Sequence, residues 1–174
     1  MAAVNRNPGA AYFIPTQDEW YKSAYYKGGG ASAGYWKYAT QSNTIPSNVL
    51  SAVGTNNANF VERVYTDPTN YLTPVGAFAS SPSAYGTYDQ TGNVFQWTEA
   101  ISGNSRTLRG GSWEGYSSSL SSSYTNNISP SQSSYDLGFR VAAAVPEPGS
   151  LLLLVMGGAG LLFFSARRRK FSRG

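Results

Sequence analysis

Glycine pairs, single tryptophans and isolated arginines stand at separated places in a chain otherwise rich in small polar residues, and this pattern limits the folds open to it. The string Arg109-Gly110-Gly111-Ser112-Trp113 is the sharpest case. Paired glycines let one backbone approach another closely. The tryptophan demands a large buried seat. The arginine interrupts an apolar stretch and needs oxygen partners there. A second string, Tyr88-Asp89-Gln90-Thr91-Gly92-Asn93-Val94-Phe95-Gln96-Trp97-Thr98, joins turn residues to another tryptophan anchor, and Gly138-Phe139-Arg140-Val141 completes the set. Arg109 and Arg140 read as structural, with carboxylate or carbonyl partners, Asp18 and Glu19 being the candidate carboxylates. With charged residues at 13%, 19 glycines and 13 tyrosines, the chain favours a loop-rich, hydrogen-bonded fold over a helical bundle.

Local signals place few regular elements. Thr16 and Glu19 form a capping box before Trp20, Tyr21, Ala24 and Tyr25, which have helical spacing, and Gly28-Gly29-Gly30 is the expected stop. Between residues 28 and 59 periodicity is weak, and Tyr35, Trp36 and Tyr38 are the expected anchors of a packed irregular loop. Residues 73–78 suggest a short edge strand, 94–98 and 106–109 two extended segments, and 137–142 a final buried strand. Trp97 and Trp113 are expected to be buried. Residues 115–135 hold ten serines, three tyrosines and two asparagines. That composition suits a solvated loop, or a recognition surface in which tyrosine supplies rigid area and serine and asparagine supply adaptable hydrogen bonds.

Cysteine and histidine are both absent, which removes disulfides, thiol nucleophiles, imidazole ligands and the usual near-neutral base. The net charge of +4 is a property of the tail: Arg167, Arg168, Arg169, Lys170 and Arg173 lie in the last eight positions, and the remainder carries eight basic against nine acidic residues. A nucleic-acid partner is therefore not expected.

The tail has three parts. Residues 144–150 form a Pro-rich linker, 151–166 an apolar run at the short limit for a spanning helix, and 167–174 a basic end expected on the cytoplasmic side. An ordinary C-terminal anchor would look similar. Pro146-Glu147-Pro148 followed by the apolar run and arginines, however, looks like the PEP-CTERM sorting signal of Gram-negative bacteria. That resemblance implies an exosortase as partner, a membrane-associated stage, and a domain in the cell envelope outside the cytoplasm, in species that make exopolysaccharide and biofilm. The opening residues 1–8 contain no apolar core segment for export. One expectation is that the true start lies elsewhere or that the chain is a fragment without an independent role.

The ordered set Ile14-Pro15-Thr16-x-x-Glu19-Trp20, Thr73-Pro74-Val75-Gly76, Tyr85-Gly86-x-Tyr88-Asp89-x-x-Gly92-Asn93-Val94-x-x-Trp97, Arg109-Gly110-Gly111-Ser112-Trp113 and Gly138-Phe139-Arg140-Val141 resembles the formylglycine-generating enzyme, or sulfatase-modifying factor, family over about residues 10–143. The resemblance implies an α+β domain over residues 1–143, low in regular structure and related to the C-type-lectin-like fold. It also implies that this domain is incomplete at its N-terminal side, with apolar surface left uncovered there. It implies two structural calcium sites. One would use the side chains of Asp89 and Gln96 with the carbonyls of Gly92 and Val94; the other the side chains of Asn59 and Asp67 with the carbonyls of Phe60 and Thr69. Gln96 stands where the family usually has Glu, which keeps an oxygen but loses a charge. Loops tied by Asx turns are the alternative. The family's oxidases hold copper(I) with two cysteines between the RGGS and GFR strings, and this chain has none. No copper and no catalytic residues are therefore expected. The expected function is an exported, exosortase-sorted surface protein whose non-catalytic domain binds an exopolysaccharide, another matrix component or another surface protein through Tyr116, Tyr124 and Tyr135. A formylglycine-generating-type oxidase is the alternative of a different class.

Overall fold

A computed structural model describes residues 6–144. The chain divides into a compact unit over Met1–Ala142 and a second over Ala143–Gly174. The apolar run at 151–166 and the Pro146-Glu147-Pro148 motif lie outside the described residues, and among those that are described no helix is long and apolar enough to cross a membrane.

Helix α1 spans Gln17–Tyr25 and starts as its sequence dictates. Thr16 Oγ1 accepts from the Glu19 N–H at 3.2 Å, and Glu19 Oε2 accepts from the Thr16 N–H at 2.8 Å. The helix buries Trp20, Ala24 and Tyr25 against Ala39, with Tyr21 packed alongside. It ends before the expected glycines. Tyr26 turns extended, with ψ 131, and bridges to Tyr35. Lys27 N then donates to Gly34 O at 2.9 Å and Trp36 N to Tyr25 O at 2.7 Å, so the glycines lie in an excursion beyond the helix rather than in its cap. Arg6 clamps the helix start to the sheet, meeting Glu19 at 2.6 Å and Glu99 at 2.8 Å.

Strand β1 is only Tyr12–Phe13, completed by the strand that begins at Ala142. The main sheet has four strands in the order β4-β3-β2-β5. β2 (Phe95–Ser102) and β3 (Ser105–Arg109) form an antiparallel hairpin whose register shifts between Trp97 and Ile101. β4 (Asn126–Ile128) lies antiparallel to β3 inside the serine-rich segment. β5 (Leu137–Phe139) runs parallel to β2, pairing Phe95 with Leu137 and Gln96 with Gly138. It is an edge strand, not a buried one: Phe139 is 68% exposed and Val141 62%. Trp97 is likewise only half-buried, whereas Trp113 is buried.

The long loops are held by packing and side-chain hydrogen bonds. Tyr38, Ala58, Phe60 and Leu120 make a second buried cluster, while Tyr35 is half-exposed and rests on Tyr21 and Tyr26. Residues 73–78 are turns, not a strand. Asp89 Oδ2 accepts from the Gly76 N–H at 2.7 Å, and Ala77 N donates to Pro74 O at 3.1 Å, which curls the segment and leaves Val75 exposed. Residues 115–135 are more ordered than their composition suggests. They contain a 3₁₀ turn at Ser117–Leu120, with Leu120 fully buried, and then β4.

The capping box makes a stability prediction. Thr16→Ala is expected to cost about 1 kcal/mol in thermal or denaturant unfolding. The Arg6 guanidinium, first, and the Thr16 bonds hold the Glu19 carboxyl below its usual range, despite an opposing push from burial. Glu19→Gln should therefore destabilise at neutral pH, and the difference from wild type should vanish as pH falls through the folded-state value of Glu19.

Candidate functional site

Three structural groups meet around the RGGSW turn. The first is a polar junction on β2. Gln96 is 3% exposed, and its Oε1 accepts from Trp20 Nε1 at 2.8 Å and from Arg140 Nε at 2.7 Å. Its Nε2 donates to the Asp89 carbonyl at 2.6 Å, and Arg140 Nη2 donates to the Tyr88 carbonyl. Burial holds the Arg140 guanidinium below its usual value, with the Asp89 charge opposing. Of the first expected calcium set, Asp89, Gly92, Val94 and Gln96 do come together in one turn and strand. Asp89, Gly92 and Gln96 have oxygens already engaged, however. Gln96 Oε1 faces two N–H donors, Asp89 Oδ2 receives Gly76 N–H, and Gly92 O receives Val94 N–H at 3.0 Å. With a guanidinium against the amide oxygen, this arrangement does not fit a calcium ion.

The second group surrounds Asn59, which is 1% exposed. Its Nδ2 donates to the Tyr71 carbonyl at 2.8 Å and to Asn93 Oδ1 at 2.9 Å. Asn93 N returns a bond to Asn59 O at 2.8 Å, and Asn93 Oδ1 also receives the Thr73 N–H at 3.0 Å. Gly92 presses so closely on Asn59 that a Cβ there would fall 2.1 Å from Asn59 O, and its φ of +78 is one that side chains resist. Asn59 Oδ1 has no partner although it is buried. A buried acceptor left unpaired costs about 1–3 kcal/mol, so it calls for a donor or a cation. Asp67, from the same expected set, forms an Asx turn. Its Oδ1 accepts from Thr69 N at 2.9 Å and Asn70 N at 3.0 Å, and its Oδ2 from Asn70 Nδ2 at 2.8 Å. These bonds, Asn70's first, hold the Asp67 carboxyl below its usual range. The Phe60 carbonyl receives Thr66 Oγ1 at 3.2 Å. In the Asn59 set the amide oxygen is thus an acceptor left open to a further donor or a hard cation.

The third group is aromatic and basic. Arg109 is 5% exposed, donating from Nη1 to the Ser122 carbonyl at 2.9 Å and the Tyr124 carbonyl at 2.8 Å, and lying 5.3 Å over the Tyr21 ring. Its partners are thus carbonyls; Glu19 is taken by Arg6. Gly110 lets this turn pass under the helix, since a Cβ there would stand 3.0 Å from Gln90 O and 3.3 Å from Trp20. Trp113 follows, with Tyr71, Tyr65 and Tyr135 around it at ring separations of 4.8, 5.5 and 5.8 Å. Of the three tyrosines read as a ligand surface, Tyr135 joins this cluster, Tyr124 stacks on Phe95 at 6.2 Å, and Tyr116 is 66% exposed. Tyr65 and Tyr71 escaped the sequence reading. They sit in a polar loop without periodicity, and only their place beside the Asn59–Asp67 loop hinted at them. A separate cavity of about 480 Å³, lined by Arg6, Tyr12, Phe13, Trp97, Glu99 and Arg106, contains none of the expected site residues.

Comparison with known proteins agrees with this architecture. The family model for the "Sulfatase-modifying factor enzyme 1-like domain" matches residues 2–145, and that for the PEP-CTERM protein-sorting motif matches residues 144–170. No curated protein matches the chain. Among solved structures, Treponema denticola variable protein 1 is similar at 28% identity and TM-score 0.53, over 76% of this chain and 47% of that one. CarF is similar at 26% identity and TM-score 0.56, over 80% and 50%. PvdO from Pseudomonas aeruginosa, at 22% identity and TM-score 0.52 over 77% and 53%, shares the fold. The chain thus spans about half the length of these solved relatives. The fold is mixed α and β with little helix, as expected from the sequence. By a match that covers most of its length, the chain belongs to the sulfatase-modifying factor enzyme 1-like domain family, and it carries a PEP-CTERM protein-sorting motif behind that domain.

Proposed function

We propose that this chain is an exosortase-sorted protein of the cell envelope whose folded domain recognises a ligand rather than performing catalysis. The carrying observation is the segment between Ser112 and Gly138. It has no cysteine with which to hold a soft redox metal, and it spends its residues on surface tyrosines and serines over a buried Leu120. The sorting-motif match supports handling by an exosortase and display outside the cytoplasm, with the apolar run at 151–166 as the membrane segment and the basic residues 167–174 on the cytoplasmic side. Tyr116, Tyr124 and Tyr135 are at least about a third exposed and offer rigid contact area toward an envelope polysaccharide or another surface protein. Replacing all three with alanine is expected to abolish retention of the chain on immobilised envelope material. Retention equal to wild type would remove this surface from the proposal.

We further propose that calcium steadies the loop around Asn59, Asp67 and the carbonyls of Phe60 and Thr69. The unpartnered Asn59 Oδ1 supports this reading. Calcium at about 100 times its dissociation constant would add roughly 2.7 kcal/mol to stability. The Tm should therefore rise with added calcium, and Asp67→Asn should reduce that rise. An unchanged Tm would mean that Asx turns alone hold the loop.

A further inference from the structure

The aromatic group around Trp113 is built with unusual care for a patch of surface. Trp113 is 9% exposed, while Tyr65, Tyr71 and Tyr135 are 37%, 41% and 68% exposed. Tyr65 meets Tyr71 edge-on at 5.1 Å, and Tyr71 lies 4.8 Å from Trp113 at an interplanar angle of 31°. Tyr71 holds a φ of +63, a left-handed conformation that a bulky side chain adopts only under constraint. The constraint is visible: Tyr71 N donates to Asp67 O at 2.9 Å, and Asn59 Nδ2 donates to Tyr71 O at 2.8 Å. The loop thus holds a strained residue that lays one ring on the tryptophan.

Polar groups accompany the rings. Tyr135 Oη donates to Glu114 Oε2 at 3.3 Å. Two buried polar atoms of this turn, Ser112 Oγ and Trp113 Nε1, have no partner. Unpaired buried donors are rare in finished interiors and mark places where a further group belongs.

We propose, resting on the recognition reading above, that Tyr65, Tyr71, Trp113 and Tyr135 form a platform for a neutral saccharide. A pyranose presents an apolar C–H face to an aromatic ring and hydroxyls at its rim, which match the tyrosine hydroxyls and the Glu114 carboxylate. Tyr65, Tyr71 and Trp113 touch one another, so no space lies between these three rings for a caged ammonium cation. The Glu114 charge disfavours uronate-bearing chains and accepts hydroxyl donors.

The test is titration of the full chain in detergent micelles with cellohexaose, laminarihexaose, maltohexaose and xylohexaose, beside a mannuronate hexamer and choline, followed by tryptophan fluorescence and calorimetry. At least one neutral hexamer should bind and shift the fluorescence. Tyr65→Ala and Tyr135→Ala should each weaken it about tenfold, Tyr65→Phe should stay within about twofold, and Tyr85→Ala should bind as wild type. Near-ultraviolet circular dichroism separates lost binding from lost folding. Preference for choline or the uronate, no binding of any neutral hexamer, or unchanged binding by both alanine variants would overturn the platform. If the chain is retained on envelope material and Tyr65→Ala is retained equally, the platform fails while the recognition reading stands. If wild type is not retained at all, the recognition reading fails, and a bound neutral hexamer would still support the platform.

Discussion

One buried amide ties this domain together. Gln96 Oε1 receives Trp20 Nε1 from the helix and Arg140 Nε from beyond β5, while Gln96 Nε2 reaches the backbone of the turn before β2. Three stretches far apart in sequence, the helix at Trp20, the turn and strand over residues 89–96, and Arg140, therefore share a single side chain. Because Gln96 itself is buried, loss of any one partner leaves another polar group stranded. The sheet itself is small, and among its four described strands only β2 and β3 have a neighbour on both sides. Such a sheet could not organise the long loops by hydrogen-bond ladder alone. The junction at Gln96 and the one at Asn59 take over that task.

The two junctions are linked through the turn at Gly92. It bridges to Asn59, and its N–H donates to the Gly110 carbonyl at 2.7 Å. The RGGSW turn is thereby fixed against both the helix and the loop that carries Tyr65 and Tyr71. Positioning of the aromatic group is thus a product of the same contacts that hold the core. A recognition surface set on such a frame loses little entropy on binding, since its rings are already placed.

Much of this was legible in the chain because the signals are local or stereochemically strict. The Thr16–Glu19 box declared the helix start, and the glycines of RGGSW declared close packing that the structure places against Trp20 and Leu120. The hidden features depend on distant partners. Arg6 closing on Glu19 and Glu99 has no local signature, and neither does the pairing of Arg109 with two carbonyls. Residues 73–78 resembled a strand because alternation cannot reveal that Asp89 will capture the Gly76 N–H. Burial of β5 was overestimated because apolar content does not tell an edge from a centre; the sheet order does. Tyr65 and Tyr71 acquired meaning only when the fold delivered Trp113 beside them.

The parallel pairing of β2 with β5 also dictates an assembly order. Phe95 must wait for Leu137, and Gln96 for Arg140, before the sheet can close. Until the end of the domain has been synthesised, the nascent chain lacks its final strand and the guanidinium that completes its central junction. The latch at Gln96 can therefore fall only when the last strand arrives.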